Sequence, residues 1–179
     1  MKRCVPRHKV TQPLDASYRL IPLTQGQNAI VDVGDFEWLS QWNWLAMWAH
    51  GARSFYAERN RTPDLDCRYM HRLILGCSPG ELGDHINCNS LDNRRCNLRK
   101  CTGTENRQNR RINRNNTSGY RGVAYSKEQR KWVAYLRGST ERIFLGYFET
   151  PEAAALARDD AARIHFGIYA KLNFPHISS

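Results

Sequence analysis

Through the first half of the chain, apolar positions arrive in short bursts separated by glycine, asparagine and aspartate, the pattern of brief strands joined by tight turns. Residues 18–23 and 29–32 read as two strands around the turn residues Gly26, Gln27 and Asn28. Gly34 and Asp35 open a short helix in which Phe36, Leu39 and Trp42 recur near helical spacing. Residues 44–50 and 53–58 make a hairpin around Gly51, and 68–75 a further strand or the start of a helix. Trp38, Trp42, Trp44 and Trp48 are assigned to the core. Residues 1–17, which hold Pro6 and Pro13 but no apolar period, read as a flexible basic arm.

Residues 84–110 predict a ββα unit. Asp84 and His85 end its first strand, a loop rich in Asn and Asp follows, residues 97–101 form the second strand, and a helix capped by Thr102 or Thr104 carries Asn106 in its first turn. So little of this stretch is apolar that the tryptophan-rich layer before it must serve as its scaffold. Residues 113–117 are a polar linker. Beyond it, 120–125, 131–137 and 142–148 read as three antiparallel strands. One helix closes this second module, with Thr150 as N-cap, Pro151 in the first turn and Gly167 as its stop. Ala153, Ala157, Ala161 and Ile164 mark the face expected to lie on the sheet. The expected fold class is α+β, with one module at 18–112 and another at 118–176.

Charge narrows the partners. Lys and Arg number 27 against 17 Asp and Glu, a formal net charge of +10, so the chain is suited to a polyanion and nucleic acid is the first candidate. From Arg94 to Arg114 there are eight Lys/Arg and a single acid, Glu105, whereas residues 30–40 carry three acids and no base. The six cysteines contain no C-x-x-C pair, which points to reduced thiols and away from a structural zinc. No signal peptide or membrane span is read from the sequence, and a cytoplasmic setting is expected.

Asp84 and His85, just before that basic run, with Asn97 and Asn106 inside it, are an inventory for phosphodiester cleavage. An Asp and a distant Asn can share a hard cation, a His can deprotonate water, and arginines can hold the substrate.

The Asp84-His85 pair, Leu91-Asp92-Asn93-Arg94, Asn97-Leu98-Arg99 and Asn106 resemble an HNH endonuclease of the His-Asn-Asn kind found in phage and homing enzymes, and His71-Arg72-Leu73-Ile74 is similar to the same subgroup. The resemblance implies a ββα-metal nuclease unit with Asp84 and Asn106 on one divalent cation, Mg2+ with Mn2+ as a substitute, and no small-molecule cofactor. It implies His85 as general base and Asn97 as an orienting amide; His71 is given a scaffold role. Arg94, Arg95, Arg99, Lys100, Arg107, Arg110 and Arg111 would then clamp the backbone of double-stranded DNA without reading it. If the gene is phage-borne, the implied setting is the cytoplasm of the bacterial host.

Residues 118–175 resemble an AP2 DNA-binding domain through Ser118-Gly119-Tyr120-Arg121-Gly122-Val123, Lys131-Trp132-Val133-Ala134, Leu145-Gly146-Tyr147-Phe148, Glu152-Ala153-Ala154 and Lys171-Leu172-Asn173-Phe174-Pro175. This resemblance implies a three-stranded sheet in the major groove with a helix behind it. Strand alternation then turns Trp132, Ala134 and Leu136 to the helix and Arg121, Tyr135, Arg137, Arg142 and Phe144 to the DNA. Ala124 and Ser126 stand where the plant pattern has further arginines.

The leading expectation is a monomeric, metal-dependent DNA endonuclease targeted by an AP2-type reader. Its chief alternative is a sequence-specific DNA-binding regulator whose nuclease fold is inactive. A structural RNA-binding protein is the third reading, and it leaves the Asp/His/Asn set without a purpose.

Overall fold

Strands in the N-terminal part are too short and too few to bury a face by pairing alone, so they are held by what packs across them. In the computed structural model, which describes residues 8–14, 17–59, 68–109, 112, 115–138 and 141–175, the chain divides into two units, Met1–Thr102 and Gly103–Ser179. The expected basic arm lies largely outside the described residues, as do Arg110 and Arg111.

In the first unit, β1 (Tyr18–Pro22) and β2 (Asn28–Asp32) pair antiparallel with Leu20 opposite Ile30. Helix α1 (Val33–Ser40) follows directly, and β3 (Leu45–Ala49) with β4 (Ser54–Glu58) forms a hairpin. Ile21, Ala29, Val31, Leu39, Trp44, Ala46, Ala57, Met70, Ile74 and Leu98 make one core. Trp44 is wholly buried, and its indole N–H donates to the Leu39 carbonyl at 2.8 Å, which satisfies the polar edge the ring carries inside. Trp38 and Trp42 flank this core edge to face. Trp48 departs from expectation: it is 41% exposed and packs on Phe55 across the hairpin. The ambiguous stretch at 68–75 resolves as a short helix, α2 (Met70–Ile74), because Met70, His71 and Ile74 turn inward together.

Two strands, β5 (Leu82–His85) and β6 (Leu98–Cys101), pair with Asp84 opposite Arg99. Helix α3 (Gly103–Gln108) falls in the second unit, ten residues ahead of the expected boundary at 112. A ββα-metal unit is therefore not shown: the hairpin is present, and the helix belongs to the other body.

The second unit is an antiparallel sheet in the order β7 (Val123–Ser126), β8 (Lys131–Arg137), β9 (Arg142–Phe148), with α4 (Pro151–Phe166) against it. Thr150 accepts a bond from the Ala153 amide at 3.2 Å and caps the helix as its sequence position requires. Val123, Ala134, Ala154 and Ala155 are the buried centre, ringed by Tyr120, Trp132, Leu145, Phe148 and Phe174.

The expected alanine stripe is corrected by one position. The buried face of α4 is Ala154, Ala155, Arg158, Asp159 and Ala162, while Ile164 stands 83% exposed. Apolar periodicity points to the wrong face because two charged residues belong to the right one. The first strand also begins later than expected, since Ser118 Oγ bonds the Val123 carbonyl and holds residues 118–122 in a turn. Gly122 there has φ 73, and a Cβ on it would meet the Tyr135 carbonyl oxygen at 2.4 Å. Among the described residues, no helix is long and apolar enough to cross a membrane.

Candidate nucleic-acid interface

The sheet has one face on α4 and one face open. Register sorts them: Val123, Tyr125, Trp132 and Ala134 lie on the helix side, and Ala124 sits beside Val133, which sits beside Tyr147, on the other. Between Ala134 and Tyr135 the register shifts because β9 carries one extra residue, Leu145, after which Tyr135 faces Phe144 and Arg137 faces Arg142. By alternation the open side thus has four rows: Ser126 and Lys131; then Ala124, Val133 and Tyr147, with Val133 itself buried; then Tyr135 and Phe144; then Arg137 and Arg142. Phe144 is 51% and Tyr147 45% exposed. Their rings form a chain with Tyr135, centroids 5.7 Å apart from Tyr135 to Phe144 and 5.2 Å from Phe144 to Tyr147. The Arg142 guanidinium lies 3.5 Å from the Tyr135 centroid, a cation–π stack that orients a rigid donor fork outward.

Tyr135, Arg137, Arg142 and Phe144 therefore share this face. Tyr147 was missed. Simple alternation from Phe144 leads to Gly146 and Phe148, and the bulge turns Tyr147 outward instead. The signal is Gly146, whose φ of 129 suits an irregular strand position.

Arg121 is in the turn before β7 and is positioned by the C-terminal segment. Asn173 Oδ1 accepts from the Arg121 amide at 2.7 Å, and Asn173 Nδ2 donates to the Arg121 carbonyl at 3.2 Å. Asp159 in turn is fully buried. It accepts from the amides of Asn173 at 2.6 Å and Phe174 at 2.8 Å, from Asn173 Nδ2 at 3.1 Å and from Arg158 Nη1 at 3.1 Å. Arg158 also donates to the Lys171 carbonyl, and desolvation by burial lowers its pKa, with Asp159 opposing. This lock, invisible to hydropathy, is why charged residues face inward on α4.

In the first unit, Asp84 and His85 are buried at the end of β5. Both Nε and Nη2 of Arg99 donate to Asp84 Oδ2, at 3.0 and 2.8 Å. His85 Nε2 lies 3.3 Å from Asn93 Oδ1, and its ring centroid is 4.8 Å from that of His71. Tyr56 and Tyr69 complete this aromatic cluster. Desolvation by burial lowers the pKa of both histidines; His85 and Arg72 push His71 further down, while Asn93, Asp84 and Asp92 partly hold His85 up. Asn97 ties the intervening loop, its Oδ1 accepting from the Asn87 amide at 2.9 Å and its Nδ2 donating to the Asp92 carbonyl at 2.7 Å.

Asp84 pairs with Arg99 in the first unit, and Asn106 is exposed on α3 in the second. No group of three His, Cys, Asp or Glu among the described residues could hold a metal. The expected phosphate clamps are also largely engaged. Arg94 forks onto Asp92, Arg95 onto Asp35, Arg99 onto Asp84, and Lys100 reaches Glu81. Four cations of the basic run are thus paired with acids. Arg107 is exposed and bonds Thr104.

No protein-family model matches the chain. Curated relatives match a stretch of about 60 residues. The ethylene-responsive transcription factor ERF024 of Arabidopsis thaliana is 49% identical over 59 residues, 32% of this chain and 32% of the relative. Dehydration-responsive element-binding protein 2E of Oryza sativa subsp. japonica is 48% identical over 60 residues, 32% of this chain and 19% of the relative. The AP2-like ethylene-responsive transcription factor TOE2 of Arabidopsis thaliana is 35% identical over 68 residues, 38% of this chain and 14% of the relative. These relatives are transcription factors and not nucleases, which corrects the expectation of a phosphodiester hydrolase. The match spans a third or less of each of those three relatives' own length, and within that span the chain is similar to AP2-type transcription factors.

Proposed function

We propose that this protein is a sequence-specific, double-stranded-DNA-binding regulator of transcription whose reader is the open face of β7, β8 and β9. The observation that carries the reading is the placement of Arg137 directly opposite Arg142, both exposed, at one end of a face that also carries the rings of Tyr135, Phe144 and Tyr147. Like charges opposite one another on a sheet are unfavourable in isolation. A polyanion converts that repulsion into attraction, and a guanidinium fork suits guanine O6 and N7 as well as phosphate. Similarity to AP2-type transcription factors over about 60 residues supports the same reading.

The division of labour follows from charge pairing. Arginines 94, 95 and 99 are held by carboxylates of the first unit, so their contribution to DNA affinity is small. The second unit reads with one continuous face, so one copy suffices for one site.

Selection from a randomised duplex library with the full chain tests this. Enrichment of one short motif, weakened by Arg142→Ala while salt-sensitive non-specific binding persists, is the expected result. Uniform affinity for every duplex would reject it.

A further inference from the structure

The open face has a chemical character that its arginines do not describe. Of its four rows the two outer ones carry cations, Lys131 beside Ser126 and Arg137 beside Arg142; the two between hold Ala124, Tyr147, Tyr135 and Phe144 over a buried Val133. No amide, carboxylate or ammonium side chain stands in those two rows, so they have no bidentate donor or acceptor for adenine or guanine. Phe144 and Tyr147 are nonetheless about half exposed, which is costly in water unless something apolar covers them.

In a major groove one base feature meets that need, the C5-methyl group of thymine. Resting on the DNA-binding function proposed above, we infer that the Phe144 and Tyr147 side chains read thymine methyl groups, so that the target site carries thymines beside the bases or phosphates taken by Arg137 and Arg142. Ring centroids 5.7 and 5.2 Å apart, against a base-pair rise of roughly 3.4 Å, place one ring per one to two base pairs. The bulge at Leu145 is what makes this face possible, because it puts Tyr147 beside Phe144 instead of behind it. Ala124, exposed on β7 across β8 from Tyr147, is small enough to leave room for a methyl group and apolar enough to contact it.

Thymine and uracil differ only by that methyl, so the test needs no altered protein. The site selected by the full chain is synthesised with each thymine replaced in turn by uracil, and affinities are measured by competition at one salt concentration. At the thymines that are read, affinity falls about fourfold per methyl removed, and at flanking thymines it does not change. Phe144→Ala and Tyr147→Ala each bring the thymine-to-uracil ratio to one at the positions they cover. Equal affinity for thymine and uracil at every position, with the selected site still preferred over random duplex, would overturn the inference and leave sequence-specific binding standing. Tighter binding to the single strand than to the duplex would overturn it too, since the rings would then be stacking on bases. Failure to select any duplex would instead remove the underlying function.

Discussion

The guanidinium of Arg142 lies 3.5 Å from the centre of the Tyr135 ring and directly across the sheet from Arg137. Tyr135 thus holds one of two facing cations in a fixed orientation, a geometry that lysine could not copy. Arg142→Ala is expected to lower affinity for a selected site by about 1–3 kcal/mol if it reads a base edge, and to reduce the salt slope of non-specific binding by about one if it meets a phosphate. Arg142→Lys should recover the slope and not the selectivity. Fluorescence anisotropy titrations over a salt series separate the two.

Gly122 is required by geometry. Its φ is 73 and an added Cβ would strike the Tyr135 carbonyl oxygen, a backbone atom that cannot step aside. Gly122→Ala should therefore destabilise the second unit by more than the roughly 1–2 kcal/mol of the left-handed conformation alone, and should weaken DNA binding by displacing Tyr135. Thermal unfolding and binding measured on the same preparation check this, and an unchanged melting temperature would contradict it.

Asp159 accepts four hydrogen bonds in full burial. Asp159→Asn leaves Arg158 as a buried cation without its counter-charge, a change that costs about 3–5 kcal/mol. Asn173→Ala keeps that pair and removes the side-chain bonds to Arg121, so it should cost about 1–3 kcal/mol. Chemical denaturation followed by tryptophan fluorescence should rank the two in that order.

Acid should weaken the first unit. His71 and His85 are held neutral by burial, below the ordinary imidazole pKa, so at and below about pH 6.5 the unfolded chain binds protons that the folded chain refuses. Stability from this source is fully present above that pH and is lost as pH falls toward the folded-state pKa values, by about 1.4 kcal/mol per pH unit for each histidine. Denaturant titrations between pH 5 and 7.5 should show the slope. His71→Gln should reduce it, and a flat profile in the unaltered protein would contradict the assignment.

Strand and helix positions were legible where periodicity and local chemistry agree. Thr150, Pro151 and Gly167 bracket α4 as their residue types demand, and alternation along β8 places Tyr135 and Arg137 opposite the helix. Legibility ended where a residue's role depends on a distant partner. Nothing local says that Asp159 will bond Asn173 and Phe174, so the buried face of α4 was placed one residue off. Nothing local says that Arg95 will find Asp35, or Arg99 Asp84, so arginines expected to clamp a DNA backbone stand in ion pairs. The same limit governs the nuclease reading: the residue types of Asp84, His85 and Asn106 suit metal-assisted hydrolysis, while the relatives are transcription factors. Tyr147 was hidden by a single extra residue in β9.

The most direct test of the central claim is selection of DNA sequences by the full chain from a randomised duplex pool, followed by affinity measurement at fixed salt on the selected and a scrambled site. The account predicts one short motif bound at least a thousandfold more tightly than scrambled duplex, roughly the lower end for specific DNA-binding proteins, with the preference abolished by Arg137→Ala together with Arg142→Ala. No motif, or a motif whose preference survives the loss of both arginines, would contradict it.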